Sequence, residues 1–312
     1  MARDAAATVF VTGTAGFIGT ELIKLLVAQG HHVVGLTPSP DAARRVRRLG
    51  GMPVTGDLRP GKWQDEAAAD WVFHLPPQLF GGPRVSRKGA ASIARTCVSM
   101  DANLLDAVSA GTTRRIVYVA NTSWYGATGT RSITEDEPRQ ASAWRSSLTP
   151  AIDRLDGYVV ARLPIVTAFA GWVYGNASWF REQVIDPITA GRRVVQFGKA
   201  GPWVSAIHVH DCARALVHLA ERGEVGSRYF LVNTDPIRIP EFAETFARLA
   251  HRPLRVWRMP AAAARFVVGP ILADHLLTDA VFSNIRLRGT GFRFQYPTLE
   301  QGLEQVIGAL HE

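Results

Sequence analysis

The chain has 312 residues, 47% hydrophobic and 20% charged, enough apolar side chain for a sizeable core and too little polarity for disorder. Its formal charge of +8 is carried almost wholly by scattered arginines, since Lys24, Lys62, Lys88 and Lys199 are the four lysines; no nucleic-acid-binding motif accompanies them, so nucleic acid is not an expected partner. Cys97 and Cys212 are too few for a disulfide scaffold or a cysteine metal site, no secretory signal opens the chain, and Arg162 and Arg265 interrupt the longest apolar runs, so the expectation is a cytoplasmic protein without metal or membrane partner.

Residues 8–12, TVFVT, form a short β-branched run that stops at Gly13, the pattern of a buried strand. GTAGFIG follows, then TELIKLLVAQG, with apolar residues at helical spacing and Gly30 as the stop. HVVGL (32–36) reads as a second strand, DAARRVRRLG as a helix ending at Gly50, MPVTGD as a lead into a third strand and DWVFHL (70–75) as a fourth. SIARTCVSMDANLLDAVSAG keeps a helical period to Gly111, and RIVYVAN gives a fifth strand. Beyond residue 130 the pattern loosens. YVVARLPIV (158–166) reads as a buried strand, AIHVHD (206–211) as another leading into the helix CARALVHLAERG. Short helices follow in PEFAETFARLAH, PAAAARFVVGPILADHLL and TLEQGLEQVIGALH. Alternation of strand and helix implies a parallel sheet covered on both faces.

The segment Gly13-Thr14-Ala15-Gly16-Phe17-Ile18-Gly19 sits between the first strand and the first helix. A helix N-terminus offers unpaired N–H groups and partial positive charge, which suits a pyrophosphate. Gly13 permits the tight turn, Gly16 lets the backbone approach phosphates, and Gly19 lets helix and sheet pack closely, with Phe17 and Ile18 opening the helix. The spacing is GxxGxxG.

VTGTAGFIG resembles the VTGxxGFIG signature of the short-chain dehydrogenase/reductase superfamily, in its extended and atypical, epimerase/dehydratase-like branches. Gly56-Asp57-Leu58, Asp70-Trp71-Val72-Phe73-His74-Leu75, Asn103-Leu104-Leu105-Asp106-Ala107, Ser205-Ala206-Ile207-His208-Val209-His210-Asp211 and Tyr296-Pro297 with Gly302-Leu303 are similar to further motifs of that superfamily, in its order. The resemblance implies an α/β, Rossmann-type doubly wound parallel sheet with a smaller, mainly helical substrate domain. Residues 1–166, together with 204–234, are expected in the dinucleotide-binding domain, and 167–203 and 235–312 in the substrate domain. It implies NADP or NAD as cofactor, with Asp57 and Leu58 near the adenine. The second strand ends Leu36-Thr37-Pro38-Ser39 without the carboxylate that binds ribose hydroxyls; Ser39 with Arg44 or Arg45 suits a 2′-phosphate, which tilts the expectation to NADP, although solvent-facing arginines explain the pattern equally.

In that superfamily a Tyr and a Lys four residues later handle the proton that accompanies hydride transfer. The residues four before the lysines are Thr20, Leu58, Arg84 and Val195, so the chain contains no YxxxK. By spacing, Trp144 and Leu148 stand in the places of Tyr and Lys, Cys97 in that of the usual helix Asn, and Pro76-Pro77 in that of a small residue. The catalytic Ser or Thr position, four before Tyr125, is Asn121, with Thr122 and Ser123 beside it. Asn121, Thr122, Tyr125 and His208 are therefore the candidate catalytic groups, with His210, Asp153 and Asp156 as further acids or bases. Alternatively, His208 and His210 pack and Asp211 caps the next helix. Tyr158 and Arg162 form a YxxxR on a segment read as strand, too far apart for an intimate pair.

Two functions compete: an NAD(P)-binding oxidoreductase, epimerase or dehydratase working without the Tyr–Lys pair, or a redox-silent lyase, cyclase, isomerase or dinucleotide-binding regulator. The expected partner is a small-molecule substrate. Trp172, Tyr174 and Trp179 around Gly175-Asn176 hint that it is aromatic or polycyclic. The helix over 95–110 suits either the sheet or a homodimer interface.

Overall fold

A computed structural model describes residues 6–76, 87–109, 113–139, 152–198 and 200–310. Seven strands form the central sheet: β1 (Thr8–Val11), β2 (His32–Thr37), β3 (Met52–Thr55), β4 (Trp71–His74), β5 (Arg115–Asn121), β6 (Ile165–Ala170) and β7 (Arg228–Leu231). They lie in the order β7-β6-β5-β4-β1-β2-β3, every neighbouring pair parallel. This is the Rossmann arrangement, and its order reverses between β1 and β4, the switch point at which sheets of this kind bind ligands beyond the carboxyl ends of their strands.

Period-two alternation decides which side chains meet which helices. Val9 and Val11 of β1 face one way, with Phe73 and Val117, onto Leu22, Ile23 and Leu26 of α1 (Phe17–Ala28) and Leu216 and Leu219 of α4 (Val209–Arg222). Phe10 faces the other way, with Val72 and Ile116, onto Leu104, Leu105 and Val108 of α3 (Arg87–Ser109). Between α1 and α3, α2 (Pro40–Arg48) is capped by Ser39, whose hydroxyl accepts the Ala42 N–H.

A third apolar core, with Tyr174, Phe180, Phe242, Phe246, Leu303 and Val306, joins segment 172–189 to α5 (Ile239–Leu249) and α7 (Leu299–Gly308). This region is less purely helical than expected. Strands 129–133, 203–204, 237–238 and 280–282 form a small sheet, while 172–174 pairs with 206–208 and 194–197 with 256–259. The helical run near 260–277 is divided: Ala261–Val267, then Gly269 at φ +81° and Pro270 restart the chain as α6 (Gly269–Leu277).

Two strand expectations need correction. Over 158–166 the chain is first a short helix, Leu155–Val160, stopped by Arg162 at φ +70°, and β6 begins only at Ile165. Backbone bonds from Ala161 and Arg162 to the carbonyls of Gly157 and Val159 close that helix, so local hydrogen bonding overrides the β-branched composition. Over 206–211 the strand ends at His208, which becomes the N-cap of α4. Among the described residues no helix is long and apolar enough to cross a membrane.

Candidate functional site

The glycine loop leaves β1 at the point where the strand order reverses, tied to β4 by the Thr12 N–H donating to the Phe73 carbonyl at 3.0 Å. Gly13 adopts φ +68°, and a Cβ there would collide with the backbone carbonyl of Leu75. A Cβ on Gly19 would collide with the Gly13 carbonyl, so both positions require glycine for close packing. Gly16 differs. It is exposed, and a Cβ there would meet only the Gly13 oxygen, at 3.1 Å. Gly16 is also the N-cap of α1, with no side chain satisfying the first N–H groups and no acidic residue in the first turn. An open glycine at an uncapped, acid-free helix start fits the diphosphate of a dinucleotide. Phe17 anchors this turn to the other half of the molecule: a Cβ on Gly175 would lie 2.9 Å from its ring. Ile18 packs against the α1-side core.

Beneath the loop lies a buried polar chain that the sequence motifs did not reveal. Thr12 Oγ1 meets His74 Nδ1 at 2.8 Å, His74 Nε2 meets an Asp101 carboxylate oxygen at 2.8 Å, and Tyr118 donates to the other oxygen. Thr12 Oγ1 also accepts the Leu75 N–H at 3.1 Å. Burial first, then the adjacent Asp101, raises the Tyr118 phenol above its ordinary range. The chain locks the ends of β1 and β4 and the middle of β5 to α3, and so fixes the floor of the loop.

The positions expected to select the cofactor are arranged differently from one another. The Ser39 hydroxyl accepts an N–H as the α2 cap. Arg44 pairs with Asp41 on the same helix, both side chains well exposed. Arg45 instead turns to the loop, its guanidinium donating to the Ala15 carbonyl at 3.2 Å. Asp57 accepts from Arg59, and that hydrogen bond holds its carboxyl below the usual range. Leu58 is buried with φ +66°, and its carbonyl accepts from Asn103 at 2.8 Å.

At the end of β5, Asn121 Oδ1 accepts the Ser123 N–H at 2.8 Å and starts the short turn Thr122–Tyr125. Thr122 is buried. Tyr125 points into an aromatic core, with Trp124, Phe169 and Phe230 rings at 5.0, 5.2 and 4.7 Å, and donates its hydroxyl to the Glu135 carbonyl at 2.9 Å. Burial pushes its phenol up, and these contacts hold the ring in the aromatic core. Ser123 Oγ lies 2.8 Å from Nδ1 of His275, a residue of α6 that sequence reasoning missed. The His275 ring is stacked on Trp172 at 4.8 Å and 2°, and burial holds its imidazole down to about 4.

His208 is fully buried between Tyr174 and Tyr296, at ring separations of 5.3 and 4.4 Å, and its Nδ1 accepts the His210 N–H at 3.3 Å. Burial first, then His210, holds it down to about 3, so it is a neutral helix cap. His210 meets Glu21 at 3.2 Å. Asp211 does not cap α4. Its two carboxylate oxygens accept the N–H groups of Gln295 and Tyr296, clamping the C-terminal segment. Asp153 accepts from Arg139 and Trp124, and Asp156 pairs with Arg228. Tyr158 belongs to the short helix and bonds to Asp106 of α3, and Arg162 stands at the helix stop, so the strand geometry expected for this pair is not the one present. Cys97 lies beside Asp101, and burial raises its thiol to about 11. Trp144, Leu148 and Pro77 lie outside the described residues. Among those described, no group of three His, Cys, Asp or Glu side chains is placed to hold a metal ion.

Next to His275, an apolar hollow of about 60 Å³ is walled by Trp172, Trp179, Phe197, Ile239, Leu254 and Leu276. It belongs to the second half of the molecule and is separate from the glycine loop.

The sequence profile of the "NAD dependent epimerase/dehydratase family" matches residues 9–232. The chain belongs to this family. A Stigmatella aurantiaca protein named as a 4-hydroxy-2-methyl-3-oxo-4-farnesyl-3,4-dihydroquinoline-1-oxide ketoreductase is 28% identical over 267 residues, covering 82% of this chain and 77% of that one. The epimerase family protein YfhF of Bacillus subtilis is 23% identical over 312 residues, covering 95% and 97%. Among solved structures, the human epimerase family protein SDR39U1 with NADPH superposes with a TM-score of 0.79 at 23% identity, covering 96% of this chain and 99% of that one. A UDP-N-acetylglucosamine 4-epimerase from Methanobrevibacter ruminantium gives 0.81 at 16% identity, covering 98% of each. These last two likenesses concern the fold.

Proposed function

We propose that this family member is an NAD(P)-dependent oxidoreductase that interconverts a carbonyl and an alcohol on a small molecule with a flat or apolar moiety, without a Tyr–Lys pair. The observation that carries the reading is the open, uncapped Gly16 turn at the switch point of the sheet. When bound, the dinucleotide supplies the hydride donor or acceptor. The loop from Gly13 to Gly19 would hold its diphosphate, Asp57 and Leu58 would face the adenine, and Arg45, with Ser39, would favour a 2′-phosphate and hence NADP. Asn121 keeps its amide NH₂ to orient a substrate oxygen, because Oδ1 is occupied by Ser123.

The substrate class rests on the Trp172–His275 stack and the apolar hollow beside it, and on the relative named as a ketoreductase of a farnesylated quinoline. A second reading, a redox-silent lyase, cyclase or isomerase, draws on the absence of YxxxK from the sequence. Titration with both cofactors, followed by nicotinamide absorbance in the presence of flat alcohols and ketones, separates the two. Binding with an absorbance change supports the oxidoreductase; binding with turnover but no absorbance change supports the second reading.

A further inference from the structure

We propose that Ser123 and His275 are the proton-handling pair of this site, acting where the chain lacks a Tyr–Lys pair; the inference rests on the oxidoreductase reading above. Ser123 lies in the turn at the carboxyl end of β5, two residues after Asn121 and at the same end of the parallel sheet as the glycine loop. Its hydroxyl is 2.8 Å from His275 Nδ1, the reach that proton transfer between a hydroxyl and an imidazole requires.

His275 is held in one orientation. Its ring lies flat on Trp172, which is itself braced edge-on by Trp179 at 5.2 Å and 85°. The three parts come from three elements: the turn after β5, the strand 172–174 and α6. The pair therefore joins the first half of the molecule to the second, and it borders the hollow through Trp172 and Leu276. The other described candidates are committed elsewhere: Tyr125 to the Glu135 carbonyl, His208 to the α4 cap, and Asp153 and Asp156 to arginines.

In the oxidative direction, Ser123 Oγ takes the proton of the substrate hydroxyl and passes its own to His275 Nδ1. With an oxidised dinucleotide bound to accept it, the carbinol hydrogen would leave as hydride while the substrate C–O bond becomes C=O, and His275 would later release the proton to solvent. An imidazole whose Nδ1 carries no proton is the state that accepts, and the 2.8 Å contact places Nδ1 toward the Ser123 hydroxyl. Carbonyl reduction runs the same transfers backwards.

The test uses the full chain with NADP and fluorenol as probe. Ser123→Ala, His275→Ala and His275→Gln should each lower kcat by about 100-fold or more while KM stays within about threefold. Cofactor affinity and melting temperature should stay close to wild type in the Gln variant, which keeps an acceptor for Ser123. Imidazole added to the buffer should restore part of the rate to His275→Ala and none to Ser123→Ala. In the ligand-free protein, nitrogen NMR should show His275 Nδ1 as a hydrogen-bond acceptor, a signature lost in Ser123→Ala. Retained kcat in the variants, or loss confined to KM without imidazole rescue, overturns the pair while leaving the oxidoreductase reading intact. A wild-type chain that binds NADP yet neither oxidises fluorenol nor reduces fluorenone overturns that reading, and the pair with it.

Discussion

Replacing His208 by Asn isolates the cost of keeping one imidazole neutral inside the fold. Asn retains an oxygen to cap α4, but it does not titrate. Burial holds His208 at about 3 in the folded chain, against an ordinary value of 6.5. The folded pKa is depressed, so between these values the unfolded chain binds the extra proton, and stability falls as pH drops below 6.5. At about pH 5 the linkage amounts to roughly 2 kcal/mol relative to neutral pH. His275, held down to about 4, adds a similar loss over the same window. Glu21 enters lower. Although burial alone would raise it, hydrogen bonds from His210 and Lys24 hold it at about 2, and its contribution, present above 4.5, is lost only as pH falls below that value. Urea unfolding at about pH 7.5 and about pH 5 measures the difference. His208→Asn should lose roughly 2 kcal/mol less than wild type between the two conditions, whatever its absolute stability. An unchanged pH slope would refute the neutral-cap assignment and restore His208 as a candidate acid.

Arg45→Ala should weaken NADPH binding by about tenfold and leave NADH almost unaffected, while Arg44→Ala, whose guanidinium pairs with Asp41, should change neither; direct titration of the two cofactors decides. Tyr125→Phe should keep its turnover and lose about 1 kcal/mol of stability, since its hydroxyl serves the Glu135 carbonyl; a collapse of kcat with intact melting would contradict the packing role. Asp101→Asn should destabilise the fold by about 2–4 kcal/mol and weaken cofactor binding, because it leaves the His74–Tyr118 chain mispaired under the loop; a neutral melting curve would show that the chain is dispensable.

The first five strands were readable because each is a short apolar run ended by a turn residue, and the glycine loop because its spacing sits between strand and helix. The segment 158–166 misled: Val159 and Val160 have strand-like composition, yet Val160 is 84% exposed on a short helix, so composition there does not report burial. The second half of the molecule was less legible because its small ladders pair distant segments, such as 129–133 with 280–282. Arg44 and Arg45 were interchangeable in sequence. The phase of α2, set by buried Ala42, Ala43 and Val46, turns Arg45 to the loop. Ser123 and His275 carry no spacing signal at all, since 152 positions separate them and only tertiary packing brings them together.

Calorimetric titration of NADPH, NADP, NADH and NAD into the wild-type chain and into Gly19→Ala tests the central claim, a dinucleotide seated on the opening turn of α1. The expected result is saturable binding of at least one of these forms by wild type, lost in Gly19→Ala, where a methyl group would strike the Gly13 carbonyl. Absence of binding of all four by a folded wild-type chain, or equal binding by the variant, would contradict it.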